Sequence, residues 1–219
     1  MPDAHWDAKL AYSDEYLAVA SDCAKAHLPL RDQFVQNGQM WVTESGDAGG
    51  GGDTWASTYL DVLRTLNELG SFSAITDGII FHNTLASSDY GFLEHGSFKP
   101  RPNYFAVLLW NRLMGTKVYD DNNPKREGVH IYCHSRKDRK PGVVYLIINN
   151  SLTDVVSVEI TKEAERYTLS AETMRSSVMQ LNGKNLSVTG ICEITEIVPE
   201  KQEAGIAALA PGSCTFFVM

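Results

Sequence analysis

The sequence predicts an α/β segment followed by an all-β segment. Two short apolar strands near residues 40–43 and 78–81 are separated by helical patterns, as in βα units. The chain changes character near residue 120. Beyond it, about seven short strands with period-two alternation are divided by turn signals, which suggests an antiparallel β-sandwich.

The first segment opens with a helix. Ser13-Asp14-Glu15 supplies an N-cap and an acidic first turn, and Tyr16, Leu17, Ala20 and Ala24 follow at helical spacing. Pro29 is expected to interrupt it, with a further turn at 30–34. Asn37-Gly38 marks a turn before the strand Met40-Trp41-Val42-Thr43, which ends at Glu44. A glycine-rich loop at 46–52 comes next. Asp53 or Thr54 is placed to cap a second helix, whose apolar face holds Trp55, Tyr59, Leu60, Leu63, Leu66 and Leu69, with Gly70 as its C-terminal stop. The strand Gly78-Ile79-Ile80-Phe81 leads into a loop at 82–96. Pro100-Arg101-Pro102 then introduces a third helix at 103–114, ended by Gly115. Two apolar strands with crossover helices require a parallel sheet covered by helices, and two strands are too few for one that stands alone.

In the second segment the strands are read at 129–134, 143–149, 155–160, 167–170, 178–181, 191–197 and 214–219. Pro141-Gly142, Asn182-Gly183 and Pro211-Gly212 separate several of them.

Composition excludes several classes. The 219 residues suffice for one large domain or two small ones, and 43% hydrophobic with 21% charged residues rules out disordered, collagenous and coiled-coil chains. A net charge of −8 argues against a nucleic-acid partner; the local basic run Arg136-Lys137-Asp138-Arg139-Lys140 reads as a solvated hairpin tip. No apolar run approaches the roughly 18 residues of a membrane span, and the first residues lack an apolar signal core. Cys23, Cys133, Cys192 and Cys214 contain no CxxC pair, so neither a zinc site nor a disulfide framework is expected. Two readings remain for them: pairing of Cys192 with Cys214 across a sheet, or buried free thiols.

Glu44 stands where an apolar strand meets the glycine-rich loop. In parallel α/β folds, and in (β/α)8 barrels above all, catalytic groups sit at the C-terminal ends of strands. The second strand exits into His82-Asn83-Thr84 and then Ser87-Ser88-Asp89-Tyr90-Gly91. If the two strands are parallel neighbours, His82, Asn83, Asp89 and Tyr90 surround the space above Glu44, a polar set suited to sugar hydroxyls. Ordinary loop capping by Asn, Asp and Ser is the alternative. The run Gly49-Gly50-Gly51-Gly52 lacks the Lys-Ser/Thr ending of a phosphate loop and the spacing of a dinucleotide fingerprint, so no nucleotide cofactor is implied. The histidines show no metal-ligand spacing; His130 and His134 share a strand, where they lie far apart along one face.

Three of these motifs resemble one family. Trp41-Val42-Thr43-Glu44-Ser45-Gly46-Asp47-Ala48 with the glycine run is similar to the nucleophile segment of heparanase-like β-glucuronidases, glycoside hydrolase family 79. Phe81-His82-Asn83-Thr84 through Gly91 resembles that family's eighth-strand exit, and Pro100 through Thr116 its last barrel helix. The resemblance implies the C-terminal fragment of a (β/α)8 TIM barrel over residues 1–119 and a β-sandwich over 120–219. It implies Glu44 as the nucleophile of a retaining hydrolase acting on glycans that contain glucuronic acid. Backbone amides of Gly49, Gly50 and Gly51 would approach the uronate carboxylate, Tyr90 would donate to it, and Asn83 or His82 would face the sugar. No cofactor or metal is implied. The family's acid/base is a Glu that follows Asn on the fourth strand. No such pair on a strand precedes Glu44, because Asn67-Glu68 falls in mid-helix, so an N-terminal barrel half is missing and the chain alone is expected to be inactive. The resemblance also implies a secreted or periplasmic parent. The competing readings are a non-catalytic carbohydrate-binding or interaction module, and a half-barrel completed by a second polypeptide.

A truncated parallel sheet exposes unpaired edges and apolar faces, which invites association. Light scattering is expected to give a mass above that of the monomer; a monomer with one cooperative unfolding transition would contradict the barrel-fragment reading.

Overall fold

The computed structural model describes residues 10–36, 38–46, 55–76, 78–120, 126–189 and 193–219. The glycine run, the expected caps Asp53 and Thr54, and Cys192 lie outside these residues. In chain order the elements are α1 (Asp14–Phe34), β1 (Val42–Ser45), α2 (Tyr59–Ser73), β2 (Ile80–His82), α3 (Pro102–Leu113), β3 (Met114–Tyr119), β4 (Val129–Arg136) and β5 (Val143–Asn149). They continue with β6 (Val156–Ile160), β7 (Ala164–Ser170), β8 (Gln180–Leu181), β9 (Lys184–Asn185), β10 (Val188–Thr189), β11 (Glu193–Ile194), β12 (Glu200–Gln202), β13 (Gly205–Leu209) and β14 (Ser213–Val218).

Helix α1 starts as its cap dictates: the Ser13 hydroxyl accepts a hydrogen bond from the Tyr16 N–H at 3.2 Å, which satisfies one orphan donor of the first turn. The expected break at Pro29 does not occur, and the helix runs through to Phe34. A proline leaves one backbone carbonyl without its helical donor, here that of Lys25. Both residues lie on an exposed stretch where water can serve that carbonyl.

Strands β1 and β2 pair in parallel, with Val42 opposite Ile80 and Ser45 opposite His82, and a register shift between these two points. The parallel neighbours anticipated from the crossover pattern are therefore present. Their burial is not as expected: Thr43 and Glu44 are exposed, and so are Trp41 and Phe81, whose rings lie 6.2 Å apart. Among the described residues this sheet is two strands wide, and the faces of a parallel sheet are covered by helices packed on it.

Helix α2 neither starts nor stops where the sequence suggested. Thr58 is its N-cap residue, and the helix passes through Gly70 to Ser73. Gly70 is a packing glycine instead of a stop. A Cβ there would lie 2.3 Å from Tyr132 Cδ2, inside the ring that β4 sets against the helix. Helix α3 also ends one residue early, at Leu113, because Met114 already belongs to a strand. Gly115 is likewise a close-approach residue: its Cβ would meet Ser135 Oγ of β4 at 2.4 Å.

The large sheet has eight strands in the order β3-β4-β5-β14-β7-β8-β9, and β12 pairs with the other end of β7. Strand β14 lies at its centre, antiparallel to both β5 and β7. All six of its residues are buried, because both faces are covered. On one face Cys214, Phe216 and Val218 join Val144, Leu146 and Ile148 beneath Tyr59, Val62, Leu63, Leu66 and Leu109 of the helices. On the other, Ile147 and Phe217 meet Val156, Ile160, Ala207 and Leu209 of the β6–β13 ribbon. A buried Leu or Val is worth roughly 1.5–3 kcal/mol, so the helical and β segments hold each other through one continuous core. Strand β3 precedes residue 120 and is hydrogen-bonded into this sheet.

The strands read from period-two alternation all have counterparts, although the one expected at 191–197 is reduced to Glu193–Ile194 among the described residues. Strands β3, β9, β10, β12 and β13 were not anticipated. Arg136 and Lys140 pair with Asp138 at an exposed turn, as a solvated hairpin tip should. Cys214 is a buried free thiol, whereas Cys23 is exposed. No helix among the described residues is long and apolar enough to cross a membrane.

Gly70→Ala tests the packing of α2 on β4. Alanine raises helix propensity, but the Tyr132 ring cannot retreat easily because its hydroxyl donates to Asn67 Oδ1 at 2.6 Å. The net effect is expected to be a loss of about 1–3 kcal/mol, read by chemical denaturation; an unchanged or raised stability would show that the ring moves freely.

Candidate active site

Glu44 is the third residue of β1 and points from the C-terminal end of the strand pair. Its Oε1 accepts a hydrogen bond from Asn83 Nδ2 at 2.6 Å. Asn83 follows the last residue of β2, and its backbone N–H donates to the Ser45 carbonyl at 2.6 Å. One residue therefore grips both the carboxylate and the strand that carries it. The Asn83 amide also lies 3.4 Å from the Tyr90 hydroxyl, which accepts and keeps its own proton available to a ligand. The Asn83–Thr84 peptide is cis. An open depression of about 370 Å³ lies over these groups, lined among the described residues by Thr43, Glu44, Phe81, His82, Asn83, Thr84 and Leu85, of which Glu44 is the one carboxylate.

His82 contributes differently. Its Nε2–H donates to the Tyr90 carbonyl at 2.9 Å, and its ring stacks on Phe92 at 4.0 Å. Burial pushes its pKa below the ordinary 6.5, against the opposing pull of that hydrogen bond, so the neutral tautomer is favoured. Asp89 is exposed at the tip of the loop, and its backbone carbonyl is held by Arg101. Gly49, Gly50 and Gly51 lie outside the described residues. The structure thus brings Glu44, Asn83 and Tyr90 together, uses His82 to fix the loop backbone, and leaves the Asp89 side chain apart.

Several residues that shape the site were not singled out from the sequence. The Arg101 guanidinium donates to the carbonyls of Ser88 and Asp89, to Gly91 O at 3.4 Å and to Ser57 Oγ at 2.8 Å, which clamps the Tyr90 loop onto the segment before α2. Behind β1, Ser45 Oγ donates to the Glu68 carboxylate, 2.7 and 2.6 Å from its two oxygens. Arg64 bonds Glu68 at 2.9 Å and Asp61 at 2.6 Å, and Asn103 donates to Asp61. Burial alone would lower the Arg64 pKa; Asp61 first and Glu68 second outweigh it and hold the guanidinium charged. Asp61, Arg64 and Glu68 stand at i, i+3 and i+7 and are the charged residues of α2, and that spacing was the available signal.

Comparisons with known proteins bear on the family and the fold. No protein-family model matches the sequence. A baicalin β-D-glucuronidase from Scutellaria baicalensis is 31% identical over 186 residues, which covers 80% of this chain and 35% of that enzyme. Heparanase-like protein 1 of Arabidopsis thaliana is 30% identical over 198 residues, covering 73% and 36% respectively, and Gallus gallus heparanase is 27% identical over 201 residues, covering 85% and 37%. Among solved structures, a 4-O-α-L-rhamnosyl-β-D-glucuronidase from Fusarium oxysporum superposes with a TM-score of 0.69 at 17% identity, over 96% of this chain and 50% of its own. A family 51 arabinofuranosidase from Xanthomonas axonopodis pv. citri gives 0.67 at 13% identity, over 98% and 48%. The fold is therefore one found in glycoside hydrolases. Within that class the chain's relatives are the heparanase-like β-glucuronidases of glycoside hydrolase family 79, and it corresponds to their C-terminal part. It spans about a third of the length of those curated relatives.

Because His82 is held with a lowered pKa, the folded state binds its proton less well than the unfolded chain. Its share of the stability is present above the ordinary value of 6.5 and is lost as pH falls through the lowered value. His82→Gln, which keeps a donor for the Tyr90 carbonyl, is expected to flatten the fall in Tm between about pH 7.5 and about pH 5; an unchanged slope would show that His82 is not buried in solution.

Proposed function

We propose that this chain is the C-terminal portion of a retaining glycoside hydrolase that cleaves β-glucuronosyl linkages in glycans containing glucuronic acid. In this reading β1 and β2 are the seventh and eighth strands of a (β/α)8 barrel, and the sheet from β3 onward is the β-sandwich that follows it. The observation that carries the reading is the Glu44 carboxylate, set at a strand end and oriented through one oxygen by Asn83.

The chemistry follows from that orientation. Asn83 occupies Oε1, so Oε2 attacks the anomeric carbon while an acid protonates the departing glycosidic oxygen. The C1–O bond breaks, a glycosyl ester forms on Glu44, and the leaving group carries the proton. Water then attacks the same carbon, with the former acid now acting as base, and Glu44 is released with the β configuration retained. Tyr90 donates its hydroxyl to the uronate carboxylate, together with backbone amides of Gly49, Gly50 and Gly51.

The second carboxyl must sit roughly 5–5.5 Å from the first, and among the described residues Glu44 is the single carboxylate lining the depression. In this reading the acid/base comes from the N-terminal part of the barrel, which would also cover the exposed β1–β2 face.

The test compares the chain alone with the same chain joined to an acid-bearing N-terminal half, using an aryl β-glucuronide. The joined protein is expected to turn over with β-configured first product by NMR, and Glu44→Gln to lower kcat by roughly 10³-fold or more. The chain alone is expected to be inactive. An α-configured product would refute the retaining mechanism. Turnover by the chain alone that vanishes in Glu44→Gln would place an acid within it, with Asp89 and Glu94 the first to examine. Glycan binding by the chain alone that is indifferent to Glu44 would favour the non-catalytic carbohydrate-binding reading.

A further inference from the structure

The β1–β2 ladder does not by itself determine where Glu44 points. Its paired residues are Val42 with Ile80 and Ser45 with His82, and the register shifts between them. Glu44 lies inside that irregular stretch. Such irregularities re-aim side chains, and the direction they impose depends on what holds the flanking residues.

On the C-terminal side that residue is Ser45, and it is held from two directions. Its carbonyl accepts the Asn83 N–H at 2.6 Å, and its hydroxyl is shared between the two oxygens of Glu68. Glu68 is only 7% exposed and its place is set by Arg64, which is itself pinned by Asp61. The array Asp61–Arg64–Glu68 carries one surplus negative charge in a buried setting. Buried carboxylates need a donor for each lone pair that the ion pair leaves unserved. Asn103 serves Asp61, and Ser45 serves Glu68. The Ser45 hydroxyl is thus tied to Glu68 by a charge-assisted hydrogen bond, stronger than a neutral one.

We infer that Glu68, acting through Ser45, is a positioning residue for Glu44: the buried charges of α2 fix the end of β1, and with it the alignment of the Glu44 carboxylate on Asn83. The functional meaning rests on Glu44 being the working carboxylate, but the coupling itself does not. It is a property of this chain and is measured on this chain.

The experiment follows the Asn83 side-chain amide by ¹⁵N NMR, its signal identified by its loss in Asn83→Asp. The backbone amide of Phe216, in the centre of the sheet, serves as the reference for global stability. In Ser45→Ala and in Glu68→Ala the Asn83 Nδ2 protons are expected to exchange with solvent about tenfold faster, with Phe216 exchange unchanged. Ser45→Thr and Glu68→Gln, which keep a hydroxyl donor and an acceptor oxygen, are expected to restore the slow rate. Unchanged Asn83 exchange in Ser45→Ala would overturn the inference, as would a rise matched by Phe216, which would mark a general loss of stability. Inactivity of the joined enzyme, with these couplings intact, would overturn only the proposed function.

Discussion

Helix α2 is buried on nearly every side, and most of what surrounds the site follows from that. Its apolar residues face the β14-centred sheet, whereas Asp61, Arg64 and Glu68 face the strand pair and α3. A charge taken out of water is tolerated only when its partners and remaining lone pairs are satisfied. The arginine between two carboxylates, Asn103 on one side and Ser45 on the other, meet that demand. The same contacts tie together β1, α2 and α3, three elements separated in sequence. The sheet thus supplies the rigid body, and the buried charges transmit its position to the end of β1.

The loop after β2 is held by an independent device. Arg101, just before α3, gathers three backbone carbonyls of the loop and the Ser57 hydroxyl. His82 adds a fourth tie through the Tyr90 carbonyl. Loops are ordinarily the mobile part of such folds, so a guanidinium and a neutral imidazole spent on backbone carbonyls are a means of presenting Tyr90 and Asn83 to Glu44 without covering the depression. Elsewhere the strand pair is left open, with Trp41 53% and Phe81 47% exposed.

Much of this was legible in the residues. Ser13 with its acidic neighbours marked the start of α1, alternation marked β4 to β8 and β14, and the position of Glu44 between an apolar strand and a glycine run marked the candidate site. What was not legible depends on distant partners. Gly70 reads as a helix stop from its neighbours alone, and only the Tyr132 ring, 62 positions later by number (132 − 70), explains why the helix continues. Pro29 reads as a break, but an exposed carbonyl behind it removes much of the cost. Met114–Tyr119 follows a helix with no intervening turn signal, so β3 is specified by its pairing with β4. Glu68 read as an unremarkable mid-helix carboxylate because nothing in the local pattern shows that Ser45 lies against it.

The most direct test of the account is chemical trapping of the nucleophile. A 2-deoxy-2-fluoro-glucuronide with a good leaving group slows both steps by destabilising the positive charge at the anomeric carbon, but the first step less, so the covalent ester accumulates. With the chain joined to an acid-bearing N-terminal half, peptide mass mapping is predicted to find one glucuronosyl adduct on Glu44. An adduct on any other carboxylate, or steady turnover of the unfluorinated substrate with no adduct formed, would contradict the assignment of Glu44 as the nucleophile.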